Sequence, residues 1–232
     1  MDYSAEDLPP CCLEALNAPG NFATRNKQFR TAVCQHLKLE WRSVGGTGNC
    51  LFESVIVMLR AEGICPDNYF AHQLRLDVVD LFRECSGSTQ DFCERVIIEI
   101  ESELTNPLVC STHAMINGRR VNGFAPDTVG NYLHAVASDG VWAQGHHWLR
   151  AISFLYDVRV AVVIYGNSVV RFFGQGRVTI YLYKVDAETH YDPLMSLAPD
   201  AAVGDGAGEC APLPIHSVHS RCSSSREVGF SS

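Results

Sequence analysis

A glycine loop runs directly into an apolar helix at Gly45-Gly46-Thr47-Gly48-Asn49-Cys50-Leu51-Phe52-Glu53-Ser54. Far downstream, His190-Tyr191-Asp192-Pro193-Leu194 closes a run of strand-like residues. The first segment places a thiol at a helix start, where unsatisfied N–H groups and the helix dipole favour negative charge. The second brings an imidazole and a carboxylate in on a strand. A chain that uses both must fold so that a helix start meets a strand end. That layout belongs to a cysteine hydrolase.

The pattern of the intervening residues fits such a fold. Phe22, Phe29, Val33 and Leu37 recur at helical spacing and predict a helix over 22–39, with Asn21 or Thr24 as its cap. Further helices are expected at 50–62, 68–85, 88–104, 127–138 and 146–156. Gly118, Gly123 and Pro126 interrupt the chain between the fourth and fifth. The period then changes. Val158 to Ile164, Val169 to Phe173 and Val178 to Lys184 read as strands, separated by Gly166-Asn167 and by Gly174 and Gly176. His190 to Leu194 continues the sheet at an edge, with Pro193 ending its pairing. Helices followed by strands predict an α+β fold, a helical lobe packed on a small, mainly antiparallel sheet. Residues 1–21, with Pro9, Pro10, Pro19 and Gly20, read as an irregular lead with room for one short helix. The domain is expected over 22–199. Residues 200–232, rich in Ala, Gly, Ser and Pro, read as a disordered tail or linker.

Composition excludes several alternatives. The 232 residues suffice for one domain and a tail, and 47% hydrophobic residues supply a full core. A net charge of −8 without a basic run argues against nucleic acid. No apolar run reaches the ~20 residues that span a bilayer. The 10 cysteines are too sparse for a disulfide scaffold, and Met1 to Glu6 carry no basic or apolar signal region. Cys34, Cys85 and Cys93 fall in amphipathic stretches, where free Cys acts as a small core hydrophobe. No Cys-x-x-Cys pair is present, and Cys11-Cys12 are too close to share one tetrahedral ion, so no metal is expected. A reducing, cytoplasmic setting follows.

The chemistry rests on few residues. A thiol with a pKa near ~8.5 is mostly protonated at neutral pH, so Cys50 needs a base. His190 can take its proton and then pair with the thiolate. Residues i and i+2 of a strand share a face, so Asp192 can reach the far nitrogen of His190 and fix its tautomer. The loop at Thr47, Gly48 and Asn49 offers N–H groups to a developing oxyanion. The Asn49 side chain can either donate there or shape the backbone. Trp41 can line a substrate channel or sit in the core. His146 and His147 diverge on a helix and are expected to be structural rather than metal ligands.

Gly46-Thr47-Gly48-Asn49-Cys50-Leu51-Phe52 resembles the nucleophile motif of the OTU (ovarian tumour) cysteine proteases, Asp-Gly-Asn-Cys-Leu-Phe. His190-Tyr191-Asp192 is similar to that family's terminal His-x-Asp/Asn motif. Trp142, the helix over 146–156 and the strand from Asp157-Val158-Arg159-Val160 resemble its Trp-Gly segment, helix and central strand. The resemblance spans about 40–195 in the family's order. Two departures stand out: Thr47 replaces the family's Asp and supplies no charge, and Ala143 replaces the Gly after Trp142. The resemblance implies a papain-like cysteine protease of OTU type with a Cys50–His190–Asp192 triad, no cofactor, and Trp41 and Trp142 near the channel. A monomer is expected, with no nucleic-acid or membrane partner, as the charge and the apolar runs already indicate. The resemblance further implies isopeptidase action on ubiquitin or ubiquitin-like conjugates. A narrow cleft would select their di-glycine tail, and acidic side chains would hold its arginines.

Two alternatives remain open at this point. The composition shift after 199 suits a protease excised from a larger, viral polyprotein, which would work in the host cytoplasm. Thr47 suits a degenerate member that binds ubiquitin without cutting it.

Overall fold

The computed structural model describes residues 3–45, 48–86, 88–105, 112–116, 119–124, 128–138, 145–185 and 190–197. They fall within the first of two units, Met1–Asp200 and Ala201–Ser232. The tail expected over 200–232 lies outside the described residues, as do Thr47 and Trp142.

In chain order the elements are β1 (Tyr3–Asp7), α1 (Pro10–Leu16), α2 (Phe22–Leu37), β2 (Leu39–Trp41), α3 (Cys50–Ala61), α4 (Ala71–Cys85) and α5 (Asp91–Thr105). After them come β3 (Thr112–Ile116), β4 (Arg119–Phe124), α6 (Val129–Val136), α7 (His146–Tyr156), β5 (Val158–Tyr165), β6 (Val169–Phe173), β7 (Val178–Val185) and β8 (Tyr191–Ser196). The fold is α+β. A six-stranded sheet has the order β1-β6-β5-β7-β8-β2, and β3 and β4 form a separate antiparallel pair. Every pairing in the large sheet is antiparallel except β5 with β7.

Helices cover both faces of that sheet. On one face α3, α4 and α7 bury Phe52, Leu59, Leu74, Phe82 and Trp148 against Val160, Val162, Ile180 and Leu182. On the other, Phe29 and Val33 of α2 and Cys12 of α1 pack on Ala161, Val163, Phe172, Tyr183 and Leu194. Strand side chains alternate, so in β5 and β7 the even residues face one layer and the odd residues Ala161, Val163 and Tyr183 the other. A strand buried on both faces reads as a continuous apolar run, as Val160 to Ile164 does.

The N-terminal lead is not irregular. Its residues add β1 to the sheet edge, with Tyr3 to Asp7 paired to Phe173 to Val169. The acidic, polar side chains of β1 gave no period-2 apolar signal. Pro193 does not end its strand either. β8 runs on to Ser196, Pro193 pairs with Leu182, and its carbonyl accepts from Arg42 N–H at 3.1 Å. β2 covers the edge that β8 would otherwise expose. The route from α2 into β2 turns at Lys38, a non-glycine residue at φ 56.

The crossover from β6 to β7 squeezes under the α7–β5 corner. A Cβ added at Gly176 would lie 2.0 Å from the Asp157 carbonyl oxygen, and one at Gly174, which has φ +77, would lie 1.5 Å from Ser153 Oγ. Only glycine fits there, and this tight passage lets β7 lie parallel to β5 after a short connection.

Candidate active site

Cys50 is the first residue of α3 and is 2% exposed. Gly48, two residues earlier, adopts φ 87, the left-handed region that suits glycine. One turn along α3, Ser54 lies on the same helix face as Cys50. Both grip the same residue of β8. Tyr191 N–H donates to Cys50 Sγ at 3.5 Å, and Ser54 Oγ–H donates to the Tyr191 carbonyl at 2.9 Å. The two contacts fasten the start of β8 to the start of α3, which brings His190 beside Cys50.

His190 is half-buried. Its Nε2 lies 2.9 Å from Asp192 Oδ1, and Cys50 is near enough for its sulfur to favour the charged imidazole. With Nε2 engaged by the carboxylate, Nδ1 is the nitrogen left for the thiol. The Asp192 hydrogen bond, aided by Cys50, outweighs burial and pushes the imidazole up to about 10. The i, i+2 relation read from the sequence is therefore a direct contact.

Asp192 is 6% exposed and collects three donors. His190 Nε2 and Val44 N–H, at 3.1 Å, meet Oδ1, and Trp41 Nε1–H meets Oδ2 at 2.9 Å. Burial alone would raise this carboxyl. The hydrogen bonds from His190, Trp41 and Val44 prevail and hold it below the usual carboxylate value. Trp41, read as a channel or core residue, thus braces the acid. The Arg30 guanidinium lies 3.5 Å over its ring.

Asn49 precedes the helix, but its side chain does not cap it. Its Oδ1 accepts from Arg75 Nη2 at 2.6 Å and Arg75 Nε at 3.2 Å. Arg75, on α4, is fully buried and also donates to the carbonyls of Gly48 at 3.0 Å and Val136 at 2.8 Å. Its guanidinium sits 4.4 Å over the Phe52 ring. Arg75, Ser54 and Val44 were not singled out from sequence. Arg75 had a visible signal, because it occupies the same helical stripe as Val78, Val79 and Phe82, where a charge is out of place. The grip of Ser54 depends on a strand 137 positions away and left no local mark.

His147 is fully buried in the core around α7, whereas His146, the first residue of that helix, is exposed. His147 Nε2 lies 2.9 Å from the Tyr132 hydroxyl, which also accepts from Trp148 Nε1 at 3.0 Å. His146 tilts against Phe173, and the partial covering of its ring, reinforced by Arg171, Arg150 and Lys184, holds its imidazole below the ordinary value.

No family model and no curated protein matches the chain. Among solved structures it is similar to the OTU domain of OTUD1, at 20% identity, TM-score 0.44, covering 72% of this chain and 91% of that one. It is similar to the Hazara virus OTU bound to ubiquitin, at 21% identity, TM-score 0.38, covering 69% of this chain and 83% of that one. It is also similar to an OTU deubiquitinase from Wolbachia pipientis wMel, at 16% identity, TM-score 0.45, covering 68% of this chain and 88% of that one.

Proposed function

We propose that the chain is a cysteine protease that hydrolyses isopeptide bonds to ubiquitin or a ubiquitin-like protein. The observation that carries this reading is the hydrogen-bonded pair of His190 and Asp192 brought beside Cys50, whose thiol stands at a helix start and accepts from the neighbouring Tyr191 N–H. The motifs around Cys50 and His190 that resemble the OTU proteases supply the substrate class.

In this reading His190 draws the proton from Cys50 and holds it as an imidazolium. The Asp192 contact favours that charged form. The sulfur attacks the isopeptide carbonyl, and the carbonyl electron pair moves onto oxygen. Backbone N–H groups of the 47–50 loop receive that oxyanion. The intermediate collapses, His190 gives its proton to the leaving lysine amine, and a thioester remains on Cys50. Water, deprotonated by His190, hydrolyses the thioester and frees the thiol. No cofactor takes part.

The test is cleavage of isopeptide-linked di-ubiquitin and of conjugates of ubiquitin-like proteins. Wild type is expected to release the free modifier, and Cys50→Ala to release none. Equal cleavage by the two proteins would sink the assignment of Cys50, and no cleavage of any conjugate by wild type would sink the substrate class.

A further inference from the structure

We infer that Arg75 is a positioning residue that locks the peptide between Gly48 and Asn49, so that the Asn49 N–H faces the reacting carbonyl. The inference rests on the reading of Cys50 as an acyl-accepting nucleophile. Arg75 Nη2 holds the Gly48 carbonyl at 3.0 Å from within the core, where the guanidinium is fully buried. In a planar trans peptide the C=O and the following N–H point in opposite directions. A Gly48 carbonyl turned down to Arg75 therefore turns the Asn49 N–H away from the interior, toward the side from which a substrate reaches Cys50. Gly48 is the residue whose conformation would otherwise let that plane rotate, since φ 87 is one of several wells open to glycine.

The grip is redundant. The same guanidinium takes the Asn49 side chain through Nε and Nη2, anchors to the Val136 carbonyl through Nη1 and rests on the Phe52 ring. A planar fork with several fixed donors holds a backbone carbonyl and a side-chain amide at once in one rigid geometry, whereas a lysine ammonium is a point charge on a flexible stem. The device also places a positive charge beneath the loop that must receive a negative oxygen.

The experiment separates reactions that form an oxyanion from one that does not. p-Nitrophenyl acetate acylates Cys50 by attack of sulfur on the ester carbonyl, formation of an oxyanion and expulsion of p-nitrophenolate. Iodoacetamide alkylates the same sulfur by displacement of iodide, with no oxyanion. Both rates are read at the Cys50 peptide by mass spectrometry, for wild type, Arg75→Met and Arg75→Lys, with melting temperatures to establish folding. The acylation-to-alkylation ratio is expected to fall on the order of 100-fold in Arg75→Met, the scale of losing one oxyanion donor, and about 10-fold in Arg75→Lys. Alkylation should stay within about two-fold of wild type, as expected for a thiol whose own environment is kept. An unchanged ratio overturns the inference, and so does a parallel loss of both rates, which marks a merely structural residue. Where Arg75→Met does not fold, the Arg75→Lys ratio decides in the same way. Neither reagent contains ubiquitin, so a wrong substrate class leaves this result intact, and a wrong role for Arg75 leaves di-ubiquitin cleavage by wild type intact.

Discussion

At the scale of single residues, Asp192 does its work by being nearly saturated with donors. Trp41, Val44 and His190 all point hydrogens at it, so it stays ionised although it is buried. An ionised acid on one imidazole nitrogen then keeps His190 protonated far above its ordinary range. The signs for stability follow. The His190 pKa rises on folding from 6.5 to about 10, so its contribution is complete below 6.5 and is lost as pH climbs through about 10. The Asp192 pKa falls below 3.8, so its contribution is present above 3.8 and is lost as pH drops through the depressed value. The pair contributes most between 3.8 and 6.5. Asp192→Asn should flatten the decline in urea midpoint between pH 6.5 and about 10. The same substitution should move the alkaline limb of the pH–kcat profile down toward 6.5 and lower kcat on the order of 10²-fold or more. An alkaline limb that stays in place would show that the carboxylate does not set the imidazole.

At the scale of elements, the site is the product of one junction, the start of α3 held against the start of β8. Ser54→Ala removes the hydroxyl that satisfies the Tyr191 carbonyl and leaves a buried acceptor without it. We expect a loss of about 1–3 kcal/mol in urea denaturation, with a drop in kcat as His190 loses its register. A loss of stability with kcat unchanged would mean that Cys50 and His190 stay aligned without the clamp. The crossover that sets the strand order is equally intolerant. Gly176→Ala pushes a methyl group into the Asp157 carbonyl and should cost about 1–3 kcal/mol or more, read by thermal melting. Much of this architecture was legible from the chain. Helices at 22–37, 50–61, 71–85, 91–105, 129–136 and 146–156 follow apolar stripes, and the strands from 158 to 185 follow β-branched runs between glycines. What escaped shares one physical cause. β1, with 5 residues, has no inward apolar period, and β2, with 3, has only Leu39 and Trp41 to show one; both exist because distant strands offer them a pairing edge. Long-range pairing leaves no local signature. The candidate site divides in the same way. The chemistry-bearing Cys50, His190 and Asp192 stand out by residue type and spacing, whereas Trp41, Ser54 and Arg75 matter only through partners 26 to 151 positions away.

At the scale of the whole molecule, a sheet covered on both faces carries the acid on β8 with the imidazole just ahead of that strand, and a helix of one covering layer carries the thiol. The groups meet at the boundary between the sheet and that covering layer, where Cys50 and Ser54 of α3 hold Tyr191 of β8. Arg75, held in α4, ties a second helix to the same loop. The net charge of −8 suits a partner with a basic tail, as the proposed substrates have. The most direct measurement is to expose the intact protein to ubiquitin bearing a C-terminal electrophile and map the adduct by mass spectrometry. The account predicts a single adduct at Cys50 in wild type and none in His190→Ala at neutral pH. An adduct on any other cysteine, or one at Cys50 that forms equally fast without His190, would contradict it.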